Sequence, residues 1–134
     1  MARYVIDAPT LLQLVADDAQ VHPSHQLVAP NAIRTEALAR LLAAVRRGDV
    51  TEHAALAQHE RMTTLKIRLL GDRVSRRTAW KVAMRQNWED LLVAEYVAVC
   101  MLQADALVTV DAMMANRATG LVPLAPYSAL SAGA

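Results

Sequence analysis

The sequence holds a single cysteine, Cys100, and that scarcity removes two classes of small protein at once. One thiol can neither close an internal disulfide nor build a zinc finger, so a reducing cytoplasm is the expected setting. An excess of charge of one sign is also missing. Lys and Arg number 14 against 13 Asp and Glu, a net charge of +1, which excludes a wholly basic coat and an acidic tail while allowing a local basic stripe. Long apolar runs are absent as well: the stretch from Leu91 to Val110 is interrupted by Glu95, Gln103 and Asp105. It falls short of the roughly 20 uninterrupted apolar residues that a bilayer span needs. The first apolar stretch, Tyr4 to Ile6, is cut by Asp7, and no charged segment precedes a long uncharged one. Neither a signal peptide nor a membrane partner is expected.

What is present is apolar material. With 134 residues, 54% of them hydrophobic and 20% charged, the chain can bury enough surface to offset the entropy of ordering, and its length suits one domain over residues 1–134. Short β-like runs alternate with longer helical ones, the pattern of an α/β domain with a mostly parallel sheet. Strand-like runs are Arg3–Asp7, Gln26–Ala29, Leu65–Leu70, Ala106–Val110 and Gly120–Leu124, the third broken by Lys66 and Arg68 as an edge strand would be. A helix opens near Pro9 with Leu11, Leu12, Leu14 and Val15 as its stripe. The next is expected from Ala32 to Arg47, capped by Asn31 and ended by Gly48; another runs from a Thr51 cap to about Met62. Ser75 is the expected cap of a helix to about Arg85. Asn87, with Asp90 three positions on, is the expected capping box of an all-round apolar helix from Trp88 to about Gln103, which should lie deep in the fold. Cys100 falls on that helix and is expected to be core packing rather than a reactive thiol.

Two strand-like segments, RYVID and ALVTVD, end in an aspartate. In open parallel sheets functional groups gather beyond the carboxyl ends of the strands, so Asp7 and Asp111 are candidates for one site. Glu36, early in the helix after QLVAP, can reach the same edge. Three carboxylates at one edge repel one another unless a cation is present, and oxygen-only ligation selects Mg²⁺ or Mn²⁺ over zinc. The bland alternative is that each aspartate merely caps the helix that follows it, and that Glu36 is a solvated helix position.

Three segments carry a further resemblance: VIDAPTLL (Val5 to Leu12), APNAIRTEALARLL (Ala29 to Leu42) and AEYVAVCMLQADALVTVD (Ala94 to Asp111). In order, spacing and total length the chain resembles PIN-domain proteins, and among them the VapC-type ribonuclease toxins of bacterial toxin–antitoxin pairs. The resemblance implies a three-layer α/β/α sandwich around a mostly parallel sheet, with an acidic pocket that binds Mg²⁺ or Mn²⁺ and cuts RNA. It implies a small antitoxin partner and a homodimer. Asp7, Glu36 and Asp111 match family acids, and Thr109 matches a hydroxyl residue two positions before the last of them.

One family acid has no counterpart. Where the family's helix block begins Asp-Ala-x-Tyr, this chain reads Val93-Ala94-Glu95-Tyr96, and valine cannot ligate a metal. On a continuous helix Glu95 faces away from position 93, whereas Glu89 and Asp90 lie within about 40° and 60° of it. Those two are the possible substitutes. Beyond the acids, Arg73, Arg77, Lys81 and Arg85 recur every fourth residue with Arg76 beside them, a stripe that either tracks RNA phosphates or is an ordinary solvated face. Leu11, Leu12, Leu41 and Leu42 are candidates for an apolar groove receiving the antitoxin. Two functions follow from the resemblance: a metal-dependent endoribonuclease toxin, or a degenerate PIN domain that binds antitoxin or RNA without cutting because of Val93.

Overall fold

The computed structural model describes residues 2–133. Five strands form one sheet: β1 (Arg3–Ile6), β2 (Gln26–Pro30), β3 (Ile67–Leu70), β4 (Ala106–Val108) and β5 (Leu124–Ala125). Their order is β3-β2-β1-β4-β5, and every neighbouring pair is parallel. The helices are α1 (Ala8–Ala16), α2 (Ile33–Arg47), α3 (Glu52–Thr64), α4 (Arg73–Gln86), α5 (Leu91–Gln103) and α6 (Ala112–Ala118), with a 3₁₀ turn at Tyr127–Leu130. The parallel sheet is the one that the alternation of strand and helix implies, and the α/β/α sandwich is the one that the resemblance implies.

The strand order says where the site belongs. From β1 the chain steps outward to β2 and β3, then returns past β1 to β4 and β5, so the direction of winding reverses between β1 and β4. Right-handed crossovers place α1, α2 and α3 on one face and α4, α5 and α6 on the other. Packing agrees: α1, α2 and α3 touch one another, α4 lies on α5, and α5 lies directly on β1, β2 and β4. The crevice beyond the carboxyl ends of β1 and β4 is therefore a topological switch point, where ligands of open α/β sheets bind.

Strand β3 is an edge strand, as its charged interruptions imply, and Arg68 is exposed on it. Helix α5 is the deep one, with Ala94 and every residue from Tyr96 to Cys100 buried. Burial pushes the Cys100 thiol up to about 11, so it stays protonated and unreactive.

Three caps differ from expectation. Asn31 does not cap α2, whose N-cap is Ala32 with no side-chain bond; the Asn31 backbone instead donates to Leu70 O at 2.9 Å, tying the ends of β2 and β3. Its side chain lies so close to Gly71 that a Cβ there would collide with it. Asp72, not Ser75, caps α4, accepting from Ser75 N at 2.8 Å; the buried Ser75 sits in the first turn and bonds back to Asp72 O. Asn87 is the left-handed residue that ends α4 (φ 56°, ψ 42°), and Asp90 alone caps α5. Helix α5 thus starts at Leu91 rather than Trp88. The last strand lies at Leu124–Ala125 rather than Gly120–Leu124, because residues 118–121 turn at the end of α6, with Gly120 at φ 84°.

Thr51 and Gly48 do act as expected. Thr51 accepts from Ala54 N at 3.1 Å, and Gly48 ends α2 in the left-handed region at φ 82°. Thr51→Ala is expected to cost about 1 kcal/mol, read as a lower urea midpoint with an unchanged slope.

Candidate active site

A small pocket of about 130 Å³ opens at the switch point, and its walls include Asp7, Glu36, Asp90 and Asp111. Asp7 directly follows β1 and caps α1; Asp111 follows β4 and caps α6. Each cap takes one carboxylate oxygen, Oδ1 of Asp7 and Oδ2 of Asp111. Asp111 accepts from Met114 N through Oδ2 at 3.1 Å, which leaves Oδ1 uncommitted. The bland alternative of a capping aspartate is correct for both residues, and it does not remove either from the site.

Asp7 is almost completely buried, at 1% exposure, and is held by two threonines. Oδ1 accepts from the Thr10 backbone N at 3.1 Å and from its hydroxyl, while Oδ2 accepts from the Thr109 hydroxyl at 2.6 Å. Both hydroxyls are themselves acceptors, Thr10 Oγ1 from Val110 N at 3.1 Å and Thr109 Oγ1 from Asp111 N at 3.0 Å. A 3.4 Å approach of Thr10 Oγ1 to Val108 O is too long to compete for its one proton. The direction of each chain is then fixed, from backbone N–H through hydroxyl to carboxylate. The segment after β4 is pinned to Asp7 at both oxygens.

Glu36 projects from the first turns of α2 and accepts from the Tyr96 hydroxyl at 2.9 Å through Oε1. Burial raises the Glu36 pKa above the ordinary 4.5; the Tyr96 bond and the Arg40 charge oppose this, and the charges of Asp7 and Asp90 add to it. Tyr96, 1% exposed, is itself raised by burial and by the Glu36 charge, so its hydroxyl stays a donor. A raised folded-state value means that the charged form of Glu36 weakens the fold. That cost is absent below the unfolded pKa and grows as pH rises through the folded one. Glu36→Gln, which keeps an acceptor for Tyr96, should melt at a higher temperature than the natural chain near neutral pH, with the difference vanishing as pH falls below 4.5. A melting series across pH checks this.

The pocket brings Asp7, Glu36 and Asp111 together, with Thr109 behind Asp7. Of the two substitutes for the missing acid, Asp90 lines the pocket and Glu89 does not. The angles of a continuous helix do not apply to either residue, because α5 starts at Leu91 and Asp90 is its cap, with Oδ1 occupied by Leu92 N and Val93 N at 3.0 and 3.3 Å. Val93 itself lines the pocket, one helical turn before Tyr96.

Four residues of the site were not expected from sequence: Thr10, Arg40, Tyr96 and Arg117. Arg40 follows Glu36 by four residues, a spacing that puts it on the same helix face and was legible. Thr10 stands three after a capping aspartate, which also places it. Tyr96 lies in the quoted helix block, and Arg117 has no local signal. The basic stripe is only partly gathered: Arg73, Arg77 and Lys81 line a separate groove, Arg76 donates to Gly71 O at 2.6 Å, and Arg85 lies outside. Of the four leucines, Leu41 and Leu42 line an apolar groove between α2 and α3, whereas Leu11 is fully buried in the core and Leu12 packs against that core.

The donors of the pocket are all oxygen, which suits a hard cation. Among the described residues, however, no three His, Cys, Asp or Glu side chains stand close enough to share one ion. Among the described residues Glu36 Oε2 and Asp111 Oδ1 make no hydrogen bond, and Asp7 Oδ2 accepts one. The arrangement fits an ion held by one or two carboxylates with waters, a mode usual for Mg²⁺, and not a three-carboxylate cage.

No protein-family model matches the sequence, and no curated protein matches it. Solved structures do. The crystal structure of PAE2754 from Pyrobaculum aerophilum is similar over 96% of this chain and 93% of that one, with a TM-score of 0.73 at 22% identity. The structure of VapBC-1 from nontypeable Haemophilus influenzae is similar over 94% of this chain and 98% of that one, with a TM-score of 0.58 at 15% identity. With its parallel sheet and its switch-point crevice, the chain shares the fold of these two solved structures.

Proposed function

We propose that the chain is a metal-dependent endoribonuclease of the VapC toxin type, one domain that hydrolyses RNA phosphodiester bonds at the Asp7–Glu36–Asp111 pocket. The observation that carries this is the convergence of these three acids, which follow β1, open α2 and follow β4, on the walls of one crevice. Glu36, Asp111 and the second lone pair of Asp7 Oδ2 would hold Mg²⁺ or Mn²⁺. That ion, when bound, supplies positive charge for the scissile phosphate and favours deprotonation of the attacking water. Glu36 has one free oxygen, since Tyr96 fixes Oε1; Oε2 would serve either as a ligand of the ion or, with the pKa raised by burial, as acceptor of the water's proton, and not as both at once. Arg40 and Arg117 on the pocket wall are placed to meet phosphate oxygens.

As partner we propose a small antitoxin whose apolar segment covers the groove of about 530 Å³ lined by Leu38, Leu41, Leu42, Val45 and Leu56. A homodimer follows from the VapC-type reading, as does a cytoplasmic setting. No helix of the described residues is long and apolar enough to cross a membrane. A second reading, a binder that does not cut, is favoured by one observation: Val93 lines the pocket where a further acid would stand.

RNA cleavage by the purified chain, with Mg²⁺ or Mn²⁺ and with chelator, decides between them. Cleavage that survives chelation overturns the metal-nuclease reading. Silence of the natural chain with activity in Val93→Asp establishes the non-cutting one.

A further inference from the structure

Helix α4 carries Arg73, Arg76, Arg77, Lys81 and Arg85 and no acidic residue. Among the described residues Arg47–Asp49 is the one ion pair within 4.0 Å, so none of these cations is in a close ion pair; the nearest acid in sequence is the cap Asp72, whose carboxyl feels the charge of Arg76. The same helix exposes two large apolar side chains, Trp80 at 62% and Met84 at 67%. At about 100° per residue, positions 73, 77, 80 and 84 fall within about 60° of one another. Two cations, an indole and a thioether thus form one straight stripe about 16 Å long. Beside it runs an open groove of about 580 Å³, whose walls are Arg73, Val74, Arg77, Thr78 and Lys81. None of these residues lines the acidic pocket.

The exposed tryptophan has no folding role that explains it, because Ser75, Ala79, Val82 and Ala83 already supply the buried face of a helix that packs on α5. Charge decides what covers it. A second copy of α4 would bring cations to cations with no acid within either helix beyond the cap Asp72 at its start, whereas a polyanion is complementary along the stripe. Of the polyanions, a single strand also offers unpaired base faces for an indole flanked by guanidinium groups; a duplex keeps its bases stacked inside.

We infer that the exposed face of α4 is a docking track for single-stranded RNA, with a base stacked on Trp80 and phosphates held by Arg73, Arg77 and Lys81. That the strand is RNA rests on the ribonuclease reading; that a single strand binds rests on the stripe alone. The track would hold the substrate away from the cutting pocket, so that affinity and cleavage are separable.

The test is fluorescence anisotropy of a labelled oligouridylate titrated with the natural chain in EDTA, which stops metal-dependent cutting. Trp80→Ala should weaken binding about 10-fold and leave its salt dependence unchanged, and Trp80→Tyr should restore most of the loss. The triple variant Arg73→Ala, Arg77→Ala, Lys81→Ala should reduce the slope of log Kd against log salt by about 2. Affinity unchanged in both Trp80→Ala and the triple variant overturns the track. So does a dimer in sedimentation velocity, without RNA, that Trp80→Ala dissolves, since it gives the face to a second copy. Cleavage of the same strand with Mn²⁺ tests the ribonuclease reading separately. No cleavage with Trp80-dependent binding leaves the track standing without that reading, and cleavage with Trp80-independent binding does the reverse.

Discussion

Asp7→Asn is expected to lower RNA cleavage by about 100-fold or more and to destabilise the fold by about 1–3 kcal/mol. Both effects come from the same two hydrogen-bond chains. Thr10 and Thr109 each accept from a backbone N–H and direct their single proton at Asp7, so both of its oxygens must accept. An asparagine accepts at one position only. Its NH₂ group meets a hydroxyl whose proton must turn elsewhere inside a site that is 1% exposed, leaving a buried donor without a partner. The segment after β4 then loses one of its two ties to α1, and Asp111, whose own N–H anchors the Thr109 hydroxyl, shifts with it. Cleavage suffers twice, from the lost negative charge in the pocket and from the displaced Asp111. Urea denaturation and a gel-based cleavage assay on the same preparations separate the two. Cleavage within about threefold of the natural chain, with the fold intact, would sink the assignment of the pocket as the active site. Thr109→Val, which removes one tie and no charge, should fall between the two, costing stability as Asp7→Asn does and cleavage less.

The pairing of strand-end aspartates with helix starts made this part of the site legible. RYVID and ALVTVD each switch from a β-like run to a helical one at the acid, and a parallel sheet has only one edge where such acids collect. Glu36 was legible for a related reason, since it opens the helix after β2. What failed was cap choice. Asp72 and Ser75 are both good N-caps three residues apart, and only the burial of Ser75 against the fold decides between them. Asn87 tolerates the left-handed region, so it serves as well at the end of α4 as at the start of α5, and local sequence does not distinguish these. That error moved the expected start of α5 by three residues and read Asp90, the true cap, as a helical position. Arg117 was out of reach altogether: it enters the pocket because α6 follows a strand that neighbours β1, which is a property of strand order and not of any local pattern.

Val93→Asp is expected to tighten Mn²⁺ binding about tenfold or more and to raise cleavage by at least as much, with little cost in stability. Val93 lies in the first turn of α5, one turn before Tyr96 and thus on the side that faces Glu36. A carboxylate at that position adds a third oxygen donor in reach of Glu36 and Asp111, where among the described residues no three ligands gather now. Its folding cost is offset, because an acid in the first turn of a helix meets the positive end of the dipole, and α5 has no other acidic residue there. Val93 is also only partly buried, so its replacement opens no enclosed cavity. Electrostatics work in the same direction: a new negative charge beside Glu36 raises its pKa further in the absence of metal and makes ion binding more favourable at neutral pH. Calorimetric titration with Mn²⁺ measures the first effect and the cleavage assay the second. Tighter metal binding without faster cleavage would show that the present carboxylates already hold the ion well enough to act. No change in either, in a variant that melts like the natural chain, would remove position 93 from the site.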